Sequence, residues 1–451
     1  MSLLGIDVGT TGCKVVAFST NGEALASAYR EYDITRPRPG WDELDAAAVW
    51  REVKGAVTEV AMRTRRDPVQ AIAVSSLGEA TVPVRLDRTI VGPSMLLSDE
   101  RGQEYIADLQ RTMPAERLYA VNGNALGNHF SLTKLMWLRD RQPAVYAAAE
   151  RFLHWSGFIS FMLGAEDHVD YSLANRTLLF DIDRQAWSPE LLAWSGLDGA
   201  KLPAPVPSAT IVGSVSAAVA DELGLPAGVA IVSGAHDQCA NAVGCGAVSE
   251  GSAVYGMGTF HCITPVFTRR RSPAVMIERG LNTEHHAVPG HYVSFIFNQG
   301  GSLVKWFRNT FAAREHHQAQ RAGRDVYADL FAELPERPSS VLVLPHFTTT
   351  GPPDFIADSS GVMLGLHLDT TRGDILKGIL EGAAFYLKQC VDALPATGIG
   401  IDAYRAVGGG SKSDAWIQLC ADIFGRPFVR PQITEAGALG AAMIAGVGRG
   451  V

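Results

Sequence analysis

Leu3-Leu4-Gly5-Ile6-Asp7-Val8-Gly9-Thr10-Thr11-Gly12-Cys13-Lys14-Val15-Val16-Ala17-Phe18 is the stretch on which the fold turns. A short apolar run reads as a strand. A Gly/Thr turn follows, and then a second apolar strand. Asn21-Gly22 comes next, a strong hairpin signal, and residues 23–29 read as a third strand. The chain therefore opens on a β-meander whose first turn carries an acid, two hydroxyls and a lysine.

Outward from that meander the same pattern returns once. Residues 252–255 read as a strand, Gly256-Met257-Gly258-Thr259 as a turn and 260–267 as a strand. A period of about 250 residues is too long for a solenoid and fits two like domains. The repeat places the boundary near residue 248, giving domains 1–247 and 248–451. Between the two hairpins, Asp45 caps a helix over 46–64, and 71–76 is a buried-type strand ending in Leu77-Gly78-Glu79. Residues 104–165 read as mainly helical. The apolar run 228–233 leads through Gly234-Ala235-His236-Asp237-Gln238 into a small-residue helix at 239–246. Further on come a strand at 341–344, a helix at 372–394 and a strand at 404–407. Gly408-Gly409-Gly410 then opens a helix at 413–424, and a Gly/Ala helix follows over 436–447. Strands alternating with helices specify an α/β fold.

Of the 451 residues, 47% are hydrophobic and 19% charged, which excludes a mostly disordered chain. A formal charge of −8 argues against nucleic acid or an anionic membrane as the main partner. The six cysteines form no C-x-x-C pair and read as reduced core residues. With no basic n-region, no apolar h-region and no run of 18 apolar residues, the expected compartment is the cytoplasm.

The common nucleotide fingerprints, G-x-x-x-x-G-K-[ST] and G-x-G-x-x-G, are absent. Three Gly-rich turns after apolar strands stand in their place, where successive N–H groups can point at phosphate oxygens. The first adds the hydroxyls of Thr10 and Thr11 and the charge of Lys14, and Asp7 at its strand end suits Mg²⁺ held directly or through water. It reads equally as a plain hairpin turn. Gly258-Thr259 offers a second phosphate cradle or a type II turn. Three consecutive glycines at 408–410 are costly in chain entropy, and a purine or ribose against bare backbone is one reason for them. Asp237 is placed either to cap a helix or to act as a general base. His236 reads as a packed neighbour of it. Glu79 suits a hydrogen-bond acceptor for a polyol, or an exposed strand-end acid. Asp99 and Arg101 read locally as solvated loop charges.

Six motifs in order resemble the FGGY carbohydrate kinases. They are Asp7-Val8-Gly9-Thr10-Thr11 with Lys14; Ser131-Leu132-Thr133-Lys134-Leu135-Met136-Trp137-Leu138; Asp170-Tyr171-Ser172-Leu173-Ala174; Gly234-Ala235-His236-Asp237-Gln238; Gly408-Gly409-Gly410-Ser411-Lys412-Ser413-Asp414 through Gly425; and Gly437-Ala438-Leu439-Gly440-Ala441-Ala442. The resemblance implies two actin-like, ribonuclease H-like domains with a central interdomain cleft. It implies that ATP and Mg²⁺ bind mainly on the second domain and the sugar mainly on the first. Asp237 becomes the general base and Asp7 the metal organiser. Glu79 and Asp99 join Asp237 at the acceptor. Thr10, Thr11, Lys14, Gly258 and Thr259 become phosphate contacts, and Gly301, Gly409, Gly410 and Asp414 nucleotide contacts.

Departures from the family pattern bear on the acceptor. Xylulose kinases read Gln-Met-His-Gly where this chain has Leu77-Gly78-Glu79-Ala80, and glycerol kinases carry Arg-Glu where it has Gly78-Glu79. The Trp before the next substrate loop is replaced by Leu97, and the Gly-Glu-Arg segment by Phe347-Thr348-Thr349-Thr350. Loss of the Arg counts against glycerol, and a ketopentose such as xylulose is the first expectation. The rival expectation is an actin-like ATPase with no sugar acceptor. A small-molecule sugar and ATP are the expected partners, and a homodimer stays open.

Overall fold

The computed structural model describes residues 1–348, 350–351, 354, 356, 358–432 and 435–451. Two compact units result, and they do not follow chain order with a single crossing. The first holds Met1–Val248, Asn282–Val293 and Glu435–Val451; the second holds Ser249–Leu281 and Ser294–Thr434. The first change of unit falls between Val248 and Ser249, and two later segments rejoin the first unit.

The first unit is built on a six-stranded sheet. Its strands are β1 (Ser2–Val8), β2 (Gly12–Ser19), β3 (Ala24–Glu31), β4 (Val69–Ser76), β5 (Ile211–Ser214) and β6 (Ala230–His236). They lie in the order β5-β6-β4-β1-β2-β3. β1 pairs antiparallel with β2 and parallel with β4, and β4 is parallel to β6. The parallel trio is covered by helices, so its strands carry near-continuous Val, Ile and Ala. Asp45 does cap the helix Ala46–Arg63, its Oδ1 accepting from the amides of Ala47 (2.9 Å) and Ala48 (3.1 Å). Its buried Val49, Val53, Val57 and Val60 join the core of this sheet.

The second unit repeats the arrangement. β7 (Ser252–Met257) pairs antiparallel with β8 (Phe260–Phe267), which pairs with β9 (Ile296–Gln299). On its other side β7 is parallel to β10 (Ala403–Val407), and β10 to β11 (Phe428–Val429). In both units, then, a first strand lies between its own hairpin partner and a parallel strand from far along the chain. The sequence repeat is a repeat of topology. Tyr255, Tyr404, Phe424 and Phe428 fill one side of this sheet as an aromatic cluster, Tyr404 stacking on Phe428 at 4.6 Å.

Residues 104–165 are less uniformly helical than their composition suggests. A strand at Arg151–His154 interrupts them and pairs antiparallel with Thr81–Val84. The expected helix at 239–246 starts two residues earlier, at Asp237–Gly244.

The C-terminal helix Ala436–Arg449 packs on β1 and on the helix Asp237–Gly244, and at two glycines it does so directly against backbone. A Cβ at Gly5 would lie 1.8 Å from the Ala438 carbonyl oxygen, and one at Gly440 1.8 Å from that of Ala240. Helix propensity alone would make Gly440→Ala stabilising by about 1 kcal/mol. Overpacking costs typically about 1–3 kcal/mol, and here the obstacle is backbone, which cannot rotate aside. The contact wins. Gly440→Ala is expected to lower unfolding free energy by at least about 1 kcal/mol in denaturant titration; a gain in stability would contradict the close packing.

Candidate active site

Asp7 occupies the last turnward position but one of β1, paired with Lys14 across the hairpin and Ser75 on the parallel side. Ser75 Oγ donates to Asp7 Oδ1 at 2.7 Å. Burial raises the Asp7 pKa, and the nearby Glu435 charge adds to the rise; the Ser75 hydrogen bond and Lys14 oppose it. Lys14 Nζ pairs with Glu435 Oε1 at 2.7 Å, at the entrance of the C-terminal helix. The turn itself is braced by Gly9 N–H donating to Gly12 O at 2.9 Å and by Tyr32 Oη donating to Gly9 O at 2.8 Å. Thr10 is half-buried and Thr11 exposed at its tip.

Asp237 is the first residue of its helix, and His236 holds the cap position. The helix-cap reading is thereby corrected: the Asp237 side chain does not serve as the N-cap. β6 delivers it to the sheet end next to β4, with His236 in register with Ser76. Its Oδ1 is buried and accepts no hydrogen bond from the described residues, although His236 Nε2 lies 3.2 Å away. Burial and the charge of Asp7 push the Asp237 pKa up to about 7, against hydrogen bonds from Gln238 and the charge of Arg176. His236 is buried, and that burial drops its pKa well below the usual value, so it is neutral. It is a packed neighbour, as the sequence suggests.

The Asp170-x-Ser172 stretch acts on this position from behind. Asp170 caps the short helix Tyr171–Asn175, and Ser172 Oγ donates to its carboxylate. The same Oγ accepts from His236 N–H at 2.9 Å, tying down the residue before Asp237.

Glu79 is buried, not an exposed strand-end acid. Its carboxylate pairs with Arg176, and its carbonyl accepts from Ser131 Oγ at 2.6 Å. Asp99 and Arg101 are also buried, against the expectation of solvated charges. Arg101 Nε lies 2.9 and 3.1 Å from the two Asp99 oxygens, and these also accept from the amides of Asp42 and Arg101 at 2.9 Å. Lys134 Nζ donates to the carbonyls of Asp99 (2.5 Å) and Arg101 (2.8 Å). With its oxygens engaged in this way, Asp99 holds its own loop together.

In the second unit, Gly258 and Thr259 form an exposed turn. Their carbonyls accept from the amides opening the helix Gly301–Phe311: Gly301 to Gly258 at 3.0 Å and Ser302 to Thr259 at 3.0 Å. Gly301 is thus part of the turn's support. At the triple glycine each position differs. Gly408 has φ +92°, a conformation that favours glycine. A Cβ at Gly410 would press on Trp416 at 2.9 Å, whereas one at Gly409 would meet nothing within 4 Å. Asp414 opens the helix Asp414–Phe424, its side chain 86% exposed and paired with Arg430 at 2.7 Å.

Arg176, Glu284 and Glu435 escape a reading of the sequence. Arg176 lies just past the Asp170–Ala174 stretch, yet its partner Glu284 is 108 residues away, and Lys14 and Glu435 are 421 apart.

Comparison with known proteins agrees with the geometry of both units. The model of the FGGY family of carbohydrate kinases, N-terminal domain, matches residues 2–244, and that of its C-terminal domain matches 251–449. A glycerol kinase from Acidovorax ebreus is 31% identical over 468 residues, covering 100% of this chain and 91% of that protein. A xylulose kinase from Bacillus subtilis is 24% identical, covering 99% and 88%. The crystal structure of xylulose kinase from Rhodospirillum rubrum superposes with a TM-score of 0.87 at 26% identity, covering 100% and 90%. Among the described residues, no helix is long and apolar enough to cross a membrane. The chain belongs to the FGGY family of carbohydrate kinases, actin-like two-domain enzymes that phosphorylate a sugar or polyol hydroxyl with ATP as co-substrate.

Proposed function

We propose that this kinase phosphorylates a ketopentose such as xylulose, with Asp237 as general base. One observation carries the reading of Asp237: a carboxylate at a strand-to-helix junction whose buried Oδ1 accepts no hydrogen bond from the described residues and whose pKa is raised to about 7. A group poised at neutrality is suited to take the proton of an attacking hydroxyl. Glu79 lies in the turn just past the neighbouring strand and would accept from the acceptor's hydroxyls. Asp99 would act indirectly, by holding its own loop in place. Residues 1–247 would then carry the acceptor side and 248–451 the nucleotide side.

Thr10, Thr11, Lys14, Gly258 and Thr259 would contact phosphates. Gly301 would support the second turn, and Gly409, Gly410 and Asp414 would line the nucleotide. Asp7 fits Mg²⁺. Its buried carboxylate sits among the charges of Glu435 and Asp237, an excess of negative charge offset by Lys14. Among the described residues no set of three His, Cys, Asp or Glu forms a metal cage. That donor set suits an ion held by one carboxylate together with phosphate oxygens and water. Bound there, Mg²⁺ would neutralise charge on the transferring phosphoryl group.

Glycerol is the second reading, favoured by the 31% identity to a glycerol kinase. Absence of an Arg at Gly78 weighs against it. ADP release measured across ketoses, aldonates and polyols decides between them. The ketopentose reading predicts xylulose above glycerol in kcat/KM, and the reverse order would overturn it. ADP release independent of any acceptor would overturn acceptor phosphorylation altogether.

Gly409→Val places a side chain where the chain itself offers no obstacle, so folding is expected to be normal. ATP affinity by calorimetry should fall at least tenfold, about 1.4 kcal/mol; an unchanged value would remove Gly409 from the nucleotide site.

Asp237→Asn should bind ATP and acceptor nearly normally and lose at least about a hundredfold in turnover. Turnover within a few-fold of the parent would exclude the general-base role. Stability should move the other way. The folded pKa is raised from the ordinary 3.8 to about 7, so the folded state favours the protonated carboxyl. Its contribution to stability is complete below about pH 4 and is lost as pH rises through 7. Asp237→Asn should therefore melt above the parent at pH 8, with the gap closing toward pH 4.

A further inference from the structure

We infer that Arg176 is a positioning residue of the acceptor site, holding the Glu79 carboxylate in place beside Asp237. This rests on the reading that Glu79 and Asp237 face the acceptor. The Arg176 guanidinium bridges two carboxylates, Glu79 and Glu284, and stands over the Phe130 ring with Cζ 4.9 Å from its centroid. Planar forked donors suit such a bridge, and a lysine does not reproduce it. Asn282 Nδ2 donates to Glu284 Oε1 at 2.6 Å, which fixes the far end of the bridge. The near end is fixed by backbone: Ser131 N–H donates to Arg176 O at 3.3 Å, while Ser131 Oγ holds the Glu79 carbonyl.

Gly78 connects this bridge to the proposed base. A Cβ at Gly78 would lie 3.6 Å from Arg176 Nε and 3.2 Å from His236 Nε2. The same His236 Nε2 is 3.2 Å from Asp237 Oδ1. With no side chain at 78, the guanidinium and the imidazole close over that residue. The partner of Glu79 and the neighbour of Asp237 thus both approach Gly78. Arg176 also reaches Asp237 through charge, favouring its ionised form. Removing the guanidinium leaves two buried carboxylates facing each other, and Glu79 loses the group that orients it.

A purely structural arginine would serve only to neutralise Glu284, and the two roles separate in a double variant. Arg176→Gln alone is expected to melt lower, to keep its ATP affinity, and to raise the acceptor KM at least tenfold. The acceptor is D-xylulose, or whichever member of the ketose, aldonate and polyol panel turns over faster. Adding Glu284→Gln removes one of the two uncompensated buried charges, so Arg176→Gln/Glu284→Gln should regain part of the thermal stability while the acceptor KM stays high. If KM recovers together with the melting temperature, Arg176 only balances Glu284 and the inference fails. Glu79→Gln, measured alongside, tests the underlying reading. An unchanged acceptor KM in that variant would overturn the placing of Glu79, and the inference with it. A raised KM in Glu79→Gln with a normal KM in the double variant would overturn the role of Arg176 alone.

Discussion

Everything in the first unit depends on the C-terminal helix lying directly on backbone. Gly5 of β1 meets the Ala438 carbonyl, and Gly440 meets that of Ala240, with no room for even a methyl group at either crossing. Interiors pack at near-crystalline density, so a contact made through backbone admits no adjustment by rotamers. The consequence is positional. The helix starting at Asp237 and the strand carrying Asp7 are held by the same 14-residue element, and Gly437 passes so close that a Cβ there would fall 2.7 Å from Asp7 Oδ2. The two carboxylates are near enough in this arrangement for the charge of one to raise the pKa of the other.

That proximity is unfavourable in itself. Burial is the main reason both carboxyls have raised pKa values, and a like charge adds to it, Glu435 at Asp7 and Asp7 at Asp237. On the proposed roles, a divalent metal bound with ATP and the proton of an attacking hydroxyl would each relieve it. Stability given up at Asp237 is the same quantity that tunes the group toward neutrality. Other buried charges of the unit are paired: Arg101 with Asp99 and Glu43, and Arg176 with Glu79 and Glu284.

Much of this was legible in the chain. Asp7-Val8-Gly9-Thr10-Thr11 lies at the tip of its hairpin, Asp45 caps its helix, and Gly408 opens the strand-to-helix turn in a left-handed conformation. The stripe of Gly and Ala near the C-terminus reads as a helix and is one. Charged side chains were the weak point. Asp99 and Arg101 look solvated from composition, and Glu79 looks like a surface acid, because a reading by residue type assigns charge to water unless a partner is visible. Their partners come from other elements: Glu43 for Arg101, Arg176 for Glu79.

By itself the sequence determined the α/β class, the two-fold repeat of strand–turn–strand and the turns that carry Gly, Thr and Asp. These follow from local periodicity and from the backbone preferences of a few residues, which act over short spans. Only the tertiary structure decided which unit the final helix joins, that Lys14 meets Glu435, and that Arg176 bridges Glu79 to Glu284. Such pairings link residues from about a hundred to 421 positions apart. They are set by how sheets and helices close-pack, and ionic attraction leaves no local pattern in the chain to announce its partner.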